Sequence, residues 1–267
     1  MTYTLPDGSR YTGPDPPANA QNLGILYPRA GTLGGCSSHN ALLSSAPHAS
    51  DWKYLQNITG DASWAPDNMR KYFVKMEKNN YLPKGTAGHG FDGWHEISEP
   101  DLSIVNNDPK VMSMIMAAAY TAGGGNMANG TREFSSFLTA DANSASSTRD
   151  GANGLYRPTN AIRADRQRSS VVDFIKQVSE AKNTDGTRKY FLDVQLNTLV
   201  TKITFDKSGS KPRATGVEFS VGQSLYGADP RRQAGTATGS GKPGTVKATR
   251  EVIISTGMST LCSACSC

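Results

Sequence analysis

Residues 30–43 read Ala-Gly-Thr-Leu-Gly-Gly-Cys-Ser-Ser-His-Asn-Ala-Leu-Leu, and this stretch decides how the rest of the chain is interpreted. The pair Gly34-Gly35 frees the backbone to come close to a flat or phosphorylated ligand. The five residues from Cys36 to Asn40 then place nucleophilic and hydrogen-bonding groups one after another. An ordinary surface turn does not need this combination, so the sequence predicts a ligand-binding loop here.

Composition limits the classes of protein that fit around this loop. With 267 residues, of which 37% are hydrophobic, the chain is long enough for one large or two modest globular domains. The net charge of +5 comes from interspersed charges with one cluster at Arg163–Arg168, which argues against a nucleic-acid partner. No apolar run approaches the roughly 18 residues of a membrane helix, so no membrane span is predicted.

The cysteines and the N-terminus add two further expectations. Cys36 stands alone, and the other three cysteines fall within the last six residues without a second ligand cluster, so neither a disulfide framework nor a metal site is predicted. The first residues lack the charged and apolar regions of a signal peptide. The compartment of the intact parent protein, secreted or cytoplasmic, stays open.

Periodicity and capping residues predict three helices and a short fourth one. One helix begins at Pro66, and another runs over 109–122 with Asp108 as its cap and Gly123 as its end. A third begins after Ser169-Ser170. The small apolar residues 40–46 predict a short helix after the glycine loop.

Strand patterns appear in the last third of the chain. Residues 199–206 and 217–221 alternate in hydropathy around a Lys-Ser-Gly-Ser turn, which predicts a β-hairpin. Residues 251–255 form an apolar run typical of a strand buried on both faces. Gly123, Gly125 and Ala128 match a dinucleotide-loop spacing but follow a helix instead of a strand, so they are interpreted as a helix exit. The predicted fold class is α/β, with α+β mixing.

The run 34–40, Gly-Gly-Cys-Ser-Ser-His-Asn, strongly resembles the flavin-binding signature of the glucose-methanol-choline (GMC) oxidoreductases, and most closely that of the choline oxidase and fungal choline-dehydrogenase-like branch. Other segments resemble the same family in the same order. They are 27–29, 51–52, 59–64, 72–79, 88–93, 168–170, 194–200 and 250–257.

The resemblance implies a partial FAD-binding domain of the two-dinucleotide type with part of a GMC substrate domain. Residues 1–90 would belong to the FAD-binding domain, 91–190 to a helical and substrate-domain portion, and 191–257 to a β-meander returning to the FAD-binding domain. Residues 258–267 are a divergent tail. Because the family's opening dinucleotide loop and its C-terminal part have no counterpart here, the resemblance implies an internal fragment.

The resemblance also implies the residues that contact FAD. They are Gly34, Gly35, Cys36, His39, Asn40, Ala41, Leu42, Leu43 and Val200. The glycines and Cys36 would lie along the flavin and its phosphates, Asn40 to Leu43 along the isoalloxazine edge, and the main chain of Val200 against the adenine. In choline oxidase the histidine of this run is bonded to the flavin, so His39 either forms such a covalent link or only hydrogen-bonds near the ring.

The implied function is that of an FAD-dependent oxidoreductase acting on the CH–OH group of a small-molecule alcohol, which becomes an aldehyde by hydride transfer to the flavin. The family's catalytic histidine pair lies C-terminal to this chain, so no catalytic residue is assigned. His48, His89 and His95 are interpreted as loop or core histidines. The isolated chain is expected to bind FAD weakly or not at all and not to turn over. The alternative is a non-catalytic remnant or interaction module whose basic surface binds an anionic ligand.

Overall fold

A computed structural model describes residues 1–24, 30–152, 154–227, 229–233, 237 and 239–257. The family-like segment 27–29 and the predicted tail 258–267 lie outside these residues. The chain divides into two compact units, Met1–Lys189 and Tyr190–Cys267.

The first unit begins with three short strands. They are β1 (Thr2–Thr4), β2 (Arg10–Thr12) and β3 (Gln21–Gly24), and they pair antiparallel in the order β2-β1-β3. The glycine loop follows, and residues Gly35–Ser38 form one 3₁₀ turn. Part of the chain before the glycine loop is therefore organised as a small sheet.

The described residues of the first unit form six α-helices. They are α1 (Ala49–Thr59), α2 (Pro66–Met76), α3 (Ser103–Asn107), α4 (Pro109–Ala122), α5 (Met127–Thr139) and α6 (Val171–Glu180). Between α2 and α3, strands β4 (Glu77–Asn79) and β5 (His95–Ile97) pair in parallel. The predicted helices at Pro66, 109–122 and after Ser170 are confirmed.

Local chemistry explains where these helices begin and end. The carboxylate of Asp108 accepts hydrogen bonds from the amides of Lys110 and Val111, and the amide of Gly123 closes α4 on Ala119. At α6, Ser170 and Asp173 form a reciprocal capping box. The glycine pattern at 123–128 is indeed a helix exit, where α4 turns into α5.

The short helix predicted over 40–46 is wrong. This segment is irregular, with left-handed backbone at Leu42, and the backbone of residues 42–44 pairs with residues 159–161. The amide of Ser44 donates to the carbonyl of Thr159 over 2.9 Å, and Leu43 forms an antiparallel bridge with Asn160. The hydrogen bonds that a helix would use are therefore taken by a neighbouring strand-like segment, and the helix begins only at Ala49.

The second unit is built on one antiparallel sheet with the order β6-β7-β8. Its strands are β6 (Thr198–Asp206), β7 (Arg213–Val221) and β8 (Lys242–Lys247). The predicted hairpin is confirmed as β6 and β7, with Ile203 opposite Val217. Two register shifts in this pair show bulges near Lys202 and Phe205.

The strand predicted over 251–255 is wrong. These residues are assigned to no strand, and Ile253 is 77% exposed. An apolar strand of this kind needs other strands beside it, whereas within the described residues the sheet of the second unit ends at β8.

Few apolar side chains are fully buried in either unit. The buried apolar residues of the described chain are Tyr3, Ile97, Val105, Ala119, Ala161, Ile203 and Leu225. Several polar residues of the first unit are buried as deeply, among them Glu77 and His89. The mixture of helices and sheets confirms the α/β class in its coarse form. A search of the described helices found none with the length and apolarity needed to cross a membrane.

Candidate functional site

The glycine loop needs glycine for two different reasons. Gly34 (φ 87°) and Gly35 (φ 53°) both have left-handed backbone, which other residues rarely adopt. A Cβ on Gly34 would lie 2.5 Å from Ser38 Oγ and 2.6 Å from Val172 Cγ2. A Cβ on Gly35 would meet no atom within 4 Å. Gly34 therefore permits close packing inside the unit, whereas the open space beside Gly35 lets a ligand approach the backbone.

The N-terminal end of α6 holds the loop in place. The amide of Val171 donates to Ser37 Oγ over 3.2 Å, and Ser37 Oγ donates to the carbonyl of Gly34 over 2.6 Å. Ser38 Oγ donates to the carbonyl of Leu33 over 3.0 Å. The serines of the motif are thus used to build the loop, and they are not free nucleophiles.

The remaining groups of the motif point away from these contacts. Cys36, His39 and Ala41 are exposed, and the side chain of Leu43 is 65% exposed. Within the described residues, the imidazole of His39 makes no hydrogen bond. The structure therefore brings eight of the nine predicted FAD-contacting residues into one continuous surface segment.

Val200 belongs to the second unit. It lies in β6 opposite Phe219, and β6 is an edge strand of its sheet. One side of the strand at Val200 is therefore not occupied by β7.

Next to residues 44–46, which follow the glycine loop, lies a buried ionic cluster that sequence reasoning missed. The imidazole of His89, 1% exposed, has Nδ1 3.0 Å from Glu77 Oε1 and Nε2 2.9 Å from Asp141 Oδ2. The amide of Gly90 donates to Glu77 Oε2, and the hydroxyl of Tyr81 donates to Asp141 Oδ1. Because both ring nitrogens face carboxylate oxygens, His89 is held as the doubly protonated imidazolium.

The pKa values agree with this charge assignment. Burial alone would lower the pKa of His89, but the hydrogen bonds to Asp141 and Glu77 outweigh it and raise that pKa to about 9. Burial would raise the pKa values of Glu77 and Asp141, yet the hydrogen bonds from His89 and from backbone amides lower both. Burial next to the Asp141 carboxylate raises the pKa of Tyr81. The cluster is therefore charged at neutral pH.

The cluster is connected to the segment that follows the glycine loop. The amide of Asn143 donates to Asp141 Oδ1, and its side chain accepts from the amide of Ala46 over 2.7 Å and donates to the carbonyl of Ser44 over 3.0 Å. Arg70 donates to the carbonyl of Asn143 over 2.6 Å. The ionic cluster thus fixes the chain just after the motif, a role for which the sequence around Asp141 gives no periodic or spacing signal.

The other two histidines of this region have different environments. Burial lowers the pKa of His95, which lies between Ser44 Oγ (3.4 Å) and Ser169 Oγ (3.5 Å). His48 is exposed and caps α1 by accepting from the amide of Ser50. His89 is therefore a core histidine, and His48 is a helix cap.

Comparisons with known proteins find dehydrogenases among the sequence relatives. No family model matches the chain. The dehydrogenase eriK of Hericium erinaceus is 31% identical over 108 residues, which is 38% of this chain and 18% of that protein. A pyranose dehydrogenase of Agaricus xanthodermus is 34% identical over 92 residues, covering 32% of this chain and 15% of that protein. The matched parts are thus less than a fifth of these relatives' own length.

Solved structures extend the similarity over most of the chain. An FAD-dependent oxidoreductase from Chaetomium thermophilum matches 83% of this chain and 31% of its own, with a TM-score of 0.52 and 20% sequence identity. Formate oxidase from Aspergillus oryzae matches 82% of this chain and 31% of its own, with a TM-score of 0.50 and 16% identity. At these identities the matches show the fold alone.

Proposed function

We propose that this chain forms part of an FAD-dependent oxidoreductase that acts on the CH–OH group of a small-molecule alcohol, within the choline-oxidase-like branch of the GMC family. The observation that carries the proposal is the glycine loop. It combines left-handed backbone, open space beside Gly35 and a run of exposed groups, all anchored to α6.

The residues present fit a bound flavin. The missing Cβ of Gly35 leaves room for a flat ring against the backbone, and the exposed Leu43 offers apolar surface to the ring's edge. Val200 lies in the second unit, and its contact with the adenine stays a prediction from the sequence. When bound, FAD supplies the hydride acceptor that no protein side chain provides. The residues of this chain bind and orient it.

His39 is the proposed point of covalent attachment. Its imidazole is exposed and is not committed to another described residue, so one ring nitrogen is available to the dimethylbenzene side of the flavin. Attachment would replace a C–H bond of the flavin methyl group by a C–N bond to the imidazole, with two protons and two electrons passing finally to molecular oxygen. Such a link would withdraw electron density from the ring and favour acceptance of a hydride. The alternative is that His39 only hydrogen-bonds near the ring.

A flavin titration tests the proposal. We expect the chain to quench FAD fluorescence weakly but saturably, and Gly35→Ala to remove the quenching because its methyl group occupies the space that the ring needs. His39→Ala should still quench, because it removes only the attachment point. After acid precipitation, flavin colour should stay with the wild-type protein and leave the His39→Ala protein.

The outcomes separate the alternatives. Quenching without acid-stable colour would limit His39 to hydrogen bonding. Equal quenching by wild type and Gly35→Ala would place the flavin elsewhere and overturn the site. A colourless protein that binds polyanions in a salt-sensitive way would favour the interaction module instead.

A further inference from the structure

The segment after the glycine loop contains a strained residue. Leu42 has φ 70°, a left-handed conformation that is strained in leucine because the Cβ comes too close to the following carbonyl oxygen. Strained backbone of this kind persists only where its surroundings hold it, and it tends to occur at functional sites. Leu42 lies between Ala41 and Leu43, and all three are predicted to follow the flavin edge.

Two side chains and one neighbouring segment hold Leu42. Its amide donates to Asn40 Oδ1 over 3.1 Å, and its carbonyl accepts from the amide of Ala161 over 2.7 Å. Asn40 Oδ1 also accepts from Arg168 Nη1 over 2.6 Å, and the same guanidinium nitrogen lies 3.3 Å from the carbonyl of Ser37. Hydrogen bonds from a guanidinium are charge-assisted and are stronger than those between neutral groups.

Arg168 is itself fixed in position. It pairs with Ile162 across a tight turn, and the amide of Ser169 donates to the carbonyl of Ala161 over 2.9 Å. Ala161 in turn donates to Leu42. Arg168 and Leu42 therefore flank the same short segment, 161–162, so the guanidinium reaches Asn40 from a rigid base.

We propose that Arg168 and Asn40 are positioning residues that hold Leu42 in its strained conformation, so that Ala41 and Leu43 are presented to the flavin ring. The inference rests on the proposed function for the identity of the ligand. The set of hydrogen bonds that joins Arg168, Asn40 and Leu42, called the clamp below, is present in the chain without FAD. Arg168 acts through Asn40 and is not assigned contact with the cofactor.

Amide hydrogen exchange of the chain without FAD tests the clamp. Arg168→Met and Asn40→Ala should each speed exchange of the Leu42 and Ala161 amides by about tenfold or more, while amides in the middle of α2 keep their rates. Asn40→Asp should retain protection, because a carboxylate oxygen accepts both hydrogen bonds. A general loss of stability would instead speed exchange in α2 as well.

A variant that relieves the strain makes the test specific. Glycine adopts φ 70° freely, so Leu42→Gly in the Arg168→Met background should return the Ala161 amide toward its wild-type rate. Unchanged exchange in Arg168→Met, or no recovery in the double variant, would overturn the clamp.

A flavin titration of the same variants separates this inference from the proposed function. Weaker FAD quenching by Arg168→Met than by wild type supports the presentation of residues 41–43 to the ring. If the exchange results hold but wild type itself does not quench FAD, the proposed function fails and the clamp stands as a structural device. If wild type and Arg168→Met quench equally, the clamp does not position the flavin site.

Discussion

His89→Gln is expected to lower the free energy of unfolding of the first unit by about 3–5 kcal/mol near neutral pH, because it leaves the Glu77 and Asp141 carboxylates buried without their shared cation. A glutamine amide cannot present a full positive charge to both. Urea denaturation followed by tryptophan fluorescence measures the effect, since all three tryptophans of the chain, Trp52, Trp64 and Trp94, lie in this unit.

The same cluster gives the first unit a defined pH dependence. The pKa of His89 rises from 6.5 in an unfolded chain to about 9 in the fold. A group whose pKa is raised by folding stabilises the fold fully at pH values below its unfolded pKa. This stabilisation is lost as the pH rises through its folded pKa. The contribution, roughly 3 kcal/mol, should therefore be complete below pH 6.5 and nearly gone at pH 9. His89→Gln should flatten this part of the stability curve.

His39→Gln is the matched control. It makes the same substitution at an exposed imidazole with no hydrogen bond to the described residues, so we expect a change within about 0.5 kcal/mol at pH 6.5. If His89→Gln and His39→Gln unfolded at the same urea concentration at pH 6.5, the ionic cluster would not stabilise the fold.

Gly34→Ala is expected to destabilise the first unit by about 2–5 kcal/mol. The left-handed backbone costs about 1–2 kcal/mol for a residue with a Cβ, and the added methyl group meets Ser38 Oγ at 2.5 Å and Val172 Cγ2 at 2.6 Å. Ser38 has to give up its hydrogen bond to Leu33, or α6 has to move away. The fluorescence of Trp94, which stacks on Phe174 of α6, should report such a movement in the native protein.

Gly35→Ala isolates the backbone contribution. Its φ is also positive, but the new methyl group has open space, so we expect a loss of only about 1 kcal/mol and native Trp94 fluorescence. Equal losses for the two alanine variants would show that packing against α6 does not determine the need for Gly34.

Sequence reasoning succeeded where short-range chemistry decides the structure. Helix α4 was predictable residue by residue because Asp108, Pro109 and Gly123 mark its ends. Helix α5 was not predicted, although Asn126 caps it, and Gly130 lowers the helix propensity of its interior. In the fold, Gly130 is buried where α5 crosses Tyr120, so packing between helices overrides its low propensity.

The candidate site divides in the same way. The glycine loop is continuous in sequence, and its residue types alone indicate a ligand. The partners of His89 are separated from it by 12 and 52 residues, and Arg168 is 128 residues from Asn40. Such contacts depend on how distant segments of the chain pack together. Neither the hydropathy period nor the capping residues of a segment predict that packing. The 251–255 strand was wrong for a related reason, because a strand pattern does not show whether partner strands exist.

The apolar run Val252–Ile254, in which Ile253 and Ile254 are exposed, has a consequence for how the protein behaves in concentrated solution. Short β-branched segments of this kind form cross-β contacts with identical segments of other molecules. Here Arg250 and Glu251 precede the run, and charges in that position act as gatekeepers against stacking. Salt screens such charges, so the tendency of this chain to self-associate is tied to ionic strength through two residues.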